Sequence, residues 1–189
     1  VYPVEEPYSH VRIVQYIPTG EYTYCVIEPE LNDHEVELLR FLREAIIGNV
    51  DFSRMETDDR FLSEDDQRLK KKFLDQAITE NQGIRAFNRH RLKVLVNTLI
   101  RNTGKEFDRV SVEKVFYFLY AKFMGYDRIQ TMMMDPELED VSCDGVNTPI
   151  FVFHRRFKNI RTNVVYDSHE YLDDFVVSMA QMSGKSISI

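Results

Sequence analysis

"PIFVFHRRFKNIRTNVVY", residues 149–166, is the stretch on which the fold turns. Short runs rich in β-branched and aromatic residues flank a tight polar turn, the signature of two paired strands. Arg155, Arg156, Lys158 and Arg161 surround that turn, and a hairpin tip carries its side chains together into solvent. Two readings stand for this basic cluster. An arginine fork suits phosphate oxygens at a protruding edge; alternatively, the charges protect an exposed sheet edge against pairing with another chain.

Working outward, "LEDVSCDG" before this hairpin reads as a further short strand and turn. After it, "SHEYLDDFVVSMAQMSG" reads as a helix capped by Ser168. The "MSGKS" at residues 182–186 has the ending of a phosphate-binding loop but not its body. Such a loop needs a glycine five positions before the Gly-Lys pair, and Met179 stands there. It also needs a strand before and a helix after, whereas a helix precedes and "ISI" reads as a strand. Gly184 is therefore expected to cap the helix.

Toward the N-terminus, "VRIVQYI-PTG-EYTYCVIEP" predicts a β-hairpin around a Pro/Gly turn. Helices follow. The first, "NDHEVELLRFLREAIIG", carries a capping box of Asn32 and Glu35, ends at Gly48, and buries Val36, Leu39, Leu42 and Ile46. Residues 49–62 read as a polar connection. Ser63 starts a helix expected to run to about Gln82, with Leu69, Phe73 and Ile78 inward and a break at Gly83. The next helix presents Leu92, Leu95, Val96 and Leu99 on one face. The last, capped by Ser111 and ended by Gly125, buries Val112, Val115, Phe116, Leu119 and Phe123. "MMM" at 132–134 is expected in the core. The fold class is thus α+β: a mainly helical N-terminal domain with a β-hairpin over 1–124, then a small α/β domain over 125–189.

A net charge of −7 argues against general nucleic-acid binding. No run reaches the roughly 20 apolar residues of a membrane span, and no signal-peptide pattern is present. The chain begins at Val1 and is expected to be a fragment or a processed product. Cys25 and Cys143 lack metal spacing and suit a reducing compartment; His10, His34, His90, His154 and His169 are scattered, so no metal site is expected. A meeting of Cys143 with His154 across neighbouring strands would suggest a thiol nucleophile, but a buried structural cysteine is expected instead. Charge is segregated along the chain. Asp51 to Asp66 is acid-rich, whereas Asn81 to Lys105 contains no acid. Within that interval Arg85, Arg89 and Lys93 recur every four residues and form one helical stripe. The stripe is either a solvated face or a docking surface for an acidic partner or an anionic membrane.

The residues from "MMMDPELEDVSCDG" through "PIFVFHRRFKNIRTNVVYDSHEYLDDFVVSMAQMSGKSISI" resemble the N-terminal half of archaeal secretion-superfamily ATPases. These are the hexameric motors of archaeal type IV pili and archaella, related to type II and type IV secretion ATPases. The resemblance covers 125–189 and extends more loosely to Tyr8 and to Tyr24–Leu31. It implies that the chain is a recognition and regulatory half whose sheet is not necessarily complete. A further domain would carry the phosphate loop, so this chain alone is expected to be inactive and to hold no cofactor. ATP and magnesium are implied for the full-length protein only. Expected partners are its own C-terminal ATPase domain, neighbouring subunits of a homo-hexamer and a membrane platform protein, with no nucleic acid. The expected location is cytoplasmic, peripheral at the inner face of the cell membrane. In related motors the domain before the ATPase core supplies arginines to nucleotide phosphates. By position in the strand-turn-strand, Arg155, Arg156 and Arg161 would fill that role, although "RRFKNIR" replaces the family's arginine, hydrophobic, aspartate, glycine turn. The alternative is a stand-alone anion-sensing or protein-interaction module.

Overall fold

The computed structural model describes residues 1–48 and 62–182. Gly184, Lys185, Ser186 and the strand expected after them lie outside the described residues, as does the connection read at 49–62 apart from Leu62. The fold is α+β. Its contacts divide into a sheet unit, Val1–Glu30 with the chain from Gly125 onward, and a helical unit, Leu31–Met124. The first thirty residues, grouped above with the helices, therefore belong with the rear of the chain. The reason is strand pairing: the N-terminal hairpin finds its third neighbour in a strand more than a hundred residues away.

The sheet unit contains β1 (Tyr2–Glu5), β2 (Ser9–Tyr16), β3 (Glu21–Ile27), β4 (Leu138–Ser142), β5 (Pro149–His154) and β6 (Lys158–Val165). They form one sheet of order β1-β2-β3-β6-β5-β4, two antiparallel meanders joined by a parallel β3–β6 contact. Only Thr23↔Arg161 and Tyr24↔Thr162 pair across that seam. The Asn163 side chain extends it, accepting from the Val26 amide at 2.8 Å and donating to the Val26 carbonyl at 3.0 Å. Alternation along the strands gives the sheet one apolar face. Val11, Tyr24, Val26, Ile150, Val152 and Ile160 pack there with Ile129, Met132 and Tyr166. The unit's helices, a short α5 (Gln130–Met134) and α6 (His169–Met182), flank β4–β6 in sequence. Ser168 caps α6 by accepting from the Tyr171 amide, and Tyr171, Leu172 and Phe175 lie on the core. Of the three methionines expected inside, only Met132 is buried; Met133 and Met134 are exposed.

Buried Asp135 ties the unit together. Its Oδ2 accepts from the Tyr2 and Tyr24 hydroxyls at 2.6 and 2.7 Å, and its Oδ1 accepts from the Glu137 amide. Burial and then the neighbouring carboxylate push both phenol pKa values far up, so the hydroxyls remain donors.

The helical unit comprises α1 (Asp33–Ile47), α2 (Glu64–Gln76), α3 (Glu80–Asn102) and α4 (Arg109–Met124). The Asn32–Glu35 capping box forms as expected. The buried stripe of α1 is Leu38, Leu42 and Ile46, packed on Leu92, Val96, Val115, Phe116 and Leu119. Val36, assigned to that stripe, is 51% exposed, because Glu35 takes the inward position. There Glu35 accepts from the Ser111 hydroxyl at 2.7 Å and the Asn32 amide at 2.9 Å, with Lys114 at 3.4 Å. The Ser111 bond, followed by the Asn32 bond, holds its carboxyl below the ordinary range.

The break expected at Gly83 falls earlier, between Gln76 and Glu80, where Thr79 caps α3 by accepting from the Gln82 amide. Ile78 sits in that break and is 92% exposed rather than inward. Gly83 lies inside α3 for a different reason. A Cβ there would come within 2.9 Å of the Leu74 Cα, so α2 and α3 approach this closely at that point because the side chain is missing. The cap of α4 is Asp108 rather than Ser111; Asp108 accepts from the amide of Ser111, and its other oxygen lies 2.7 Å from the Ser111 hydroxyl.

Candidate functional site

The β5–β6 turn is the best-defined candidate. Residues 155–157 connect the strands, and Lys158 takes a left-handed conformation (φ 62°) to close the hairpin. Two-sided support fixes the base. His154, at the end of β5, is 3% exposed, and its Nδ1 accepts from the Arg156 amide at 3.1 Å. The Phe157 ring lies 5.0 Å from His154 and 4.8 Å from Tyr22 of β3. On the other side, the Arg155 amide donates to the Glu137 carbonyl at 3.0 Å.

From this base Arg155 and Arg156 project into solvent. The Arg155 guanidinium is 3.8 Å from Glu139 on β4, a loose and exposed pair. The Arg156 guanidinium lies 5.3 Å over the Phe157 ring. Arg161 is elsewhere. It sits about 10 Å along β6 from the turn at the usual strand rise, where its Nε donates to Thr23 Oγ1 on β3 at 3.3 Å. The hairpin thus places Arg155 and Arg156 at its turn, the first toward β4 and the second over Phe157, and leaves Arg161 on the solvent face of the sheet beside Phe151. Both arginines at the turn present planar donors held by weak partners, which an anion can displace.

Strand pairing also places an open depression of about 440 Å³ on the same face of β4, β5 and β6. Asp140, Ser142, Phe151, Phe153 and Asn159 line it. It was not anticipated, and period-two alternation across the three strands is the signal that could have found it.

Cys143 and His154 do not meet. Leu138 faces His154, and Cys143 lies about 15 Å further along the edge. Cys143 is exposed, not buried, because β4 ends before it. Among the described residues no group of three or more His, Cys, Asp or Glu could hold a metal ion.

In the helical unit, Arg85, Arg89 and Lys93 share one side of α3 as their spacing predicts, but two of them are engaged with α4. Lys93 Nζ is 2.6 Å from Glu113 Oε1, and the Arg89 guanidinium lies 5.2 Å over the Tyr120 ring. Arg85 is exposed. A larger depression, about 900 Å³, runs between the start of α1 and residues 103–108 and is lined by Leu38, Phe41, Phe107 and charges of both signs. Among the described residues no helix is long and apolar enough to cross a membrane.

No protein-family model matches the chain. Three uncharacterized proteins of Methanocaldococcus jannaschii are similar to it. MJ1288 is 32% identical over 166 residues, covering 88% of this chain and 56% of its own length. MJ0900 is 25% identical over 191 residues, covering 100% of this chain and 32% of its own length. MJ0781 is 34% identical over 77 residues, 41% of this chain and 10% of its own length. The chain thus spans about half, or less, of the length of the curated relatives it matches.

Proposed function

We propose that this chain is the N-terminal regulatory and interaction region of a hexameric secretion-type motor ATPase that powers archaeal pilus or archaellum assembly or rotation. Hydrolysis then belongs to a domain outside this sequence, which binds ATP and magnesium. The protein works in the cytoplasm, peripheral to the membrane, against its own ATPase domain, neighbouring subunits and a membrane platform protein. The observation that carries this reading is the β5–β6 turn, where two solvent-facing arginines stand on a clamped base within the stretch that resembles these motors. A guanidinium delivered to phosphate from outside the phosphate loop stabilises the charge of transfer and makes hydrolysis depend on domain closure. The exposed Arg85, with Arg89 beside it, is the part of the α3 stripe best placed to meet an acidic platform surface.

The test uses the longer gene product, with Arg155→Ala, Arg156→Ala and Arg161→Ala made singly and folding checked by melting. Arginine fingers contribute about 10³–10⁵ in rate, and a site with several basic groups should lose less. Arg155→Ala or Arg156→Ala is expected to reduce turnover with nucleotide affinity nearly kept, while the isolated chain takes up no magnesium-ATP in calorimetry. If the gene product hydrolyses no ATP, the motor reading fails and the stand-alone module replaces it. If all three variants match the parent, the turn is edge protection.

A further inference from the structure

His154 is a residue that the proposed role of the turn does not use. It occupies an inward position between apolar neighbours, where Val152 and Ile160 show that an aliphatic side chain would pack. Its Nε2 is buried without a hydrogen-bond partner among the described residues. A buried polar atom left unpaired is unfavourable, so the ring needs a compensating role. Its hydrogen bond among the described residues is at Nδ1, which accepts from the Arg156 amide. An accepting Nδ1 carries no proton, so the ring proton sits on Nε2. The ring edge meets Phe157, and Phe157 in turn lies against Tyr22, so one imidazole holds both the backbone and the apolar wedge of the turn.

We propose that His154 is the positioning residue of the arginine turn, fixing the direction in which Arg155 and Arg156 leave the sheet. This rests on the reading that those arginines act on nucleotide phosphate. Losing the acceptor frees the Arg156 amide, lets the turn relax toward other three-residue geometries and spreads the guanidinium groups over many directions. His154→Asn is the conservative variant, because its Oδ1 occupies nearly the place of Nδ1 and accepts the same amide. His154→Leu fills the site but accepts nothing.

The first measurement needs no variant. Long-range proton–nitrogen correlation on the histidine-labelled chain is expected to show His154 protonated at Nε2, and the Arg156 amide is expected to exchange slowly with solvent. In the longer gene product, His154→Leu should lower turnover about tenfold, within the range of up to 10² that small misplacements produce, with the nucleotide KM nearly kept. His154→Asn should restore most of it. A proton on Nδ1, or a His154→Leu variant that keeps full turnover while Arg156→Ala loses it, overturns the positioning role. If neither variant changes turnover, the motor reading of the turn is what fails, and tautomer and amide exchange still decide whether His154 sets the turn.

Discussion

The two units satisfy their polar groups over different distances along the chain. In the helical unit the caps are local: Asn32 with Glu35, Ser63 with Asp66, Thr79 with Gln82 and Asp108 with Ser111 are each three residues apart. In the sheet unit the Ser168 cap is local too, but other bonds join segments far apart in the sequence. Tyr2 and Asp135 are 133 positions apart, Tyr24 and Asp135 are 111, and Val26 and Asn163 are 137. One unit is therefore capped by short-range signals, with a packed stripe and the Glu35–Ser111 bond added. The other closes its sheet only when distant segments meet, with Asp135 and Asn163 bonded across them.

The sharpest way to break this contrast is at Asp135. Asp135→Ala leaves the fully buried Tyr24 hydroxyl and that of Tyr2 without their acceptor, and each orphaned group costs about 1–3 kcal/mol. A loss of about 2–4 kcal/mol is expected in urea unfolding of the chain. A loss below about 1 kcal/mol would mean that other partners replace the carboxylate, and the sheet unit would be less dependent on this node than described.

Gly83 tests the opposite claim, since it is where the helical unit depends on a tertiary contact. Gly83→Ala gains up to about 1 kcal/mol in helix propensity but drives a methyl group into the Leu74 backbone. Overpacking of that kind costs about 1–3 kcal/mol, so a net loss in melting temperature is expected. A stabilised variant would show that α2 moves aside freely.

The smallest effect belongs to the α1 cap. Asn32→Ala should cost about 1 kcal/mol. Glu35 adds a pH signature of defined sign. Its folded carboxyl titrates below its ordinary value of 4.5, so its contribution is full above that value and is lost as pH falls through the lower folded value. The stability advantage of the parent over Glu35→Gln should therefore be largest near neutral pH and shrink on acidification below about 4.5. An advantage that does not change with pH would remove Ser111 and Lys114 as the carboxylate's partners.

The same difference in range explains what could be read in advance. The caps at Asn32, Ser63 and Ser168 are legible because donor and acceptor are three residues apart in sequence. The hairpin at 149–166 is legible from its strands and turn, and with it the place of Arg155 and Arg156 at that turn. Gly83 was misread because a glycine that breaks a helix and one that admits a neighbour look alike in sequence; only the Leu74 backbone distinguishes them. The union of the N-terminal hairpin with β6 left no local trace, since two paired residues and one asparagine make the seam. Arg161 was grouped with the turn by proximity in sequence, whereas strand rise and Thr23 hold it apart.

That seam also sets a clock. Thr23 and Arg161 are 138 positions apart, so at about 5–20 residues per second β3 waits roughly 7–28 s on the ribosome for its second neighbour. During that interval its free edge is a template for any other extended chain. The helical unit emerges in the meantime and can form from its own caps and stripe. The two strands of the seam therefore meet only after the whole helical unit between them in sequence has been made.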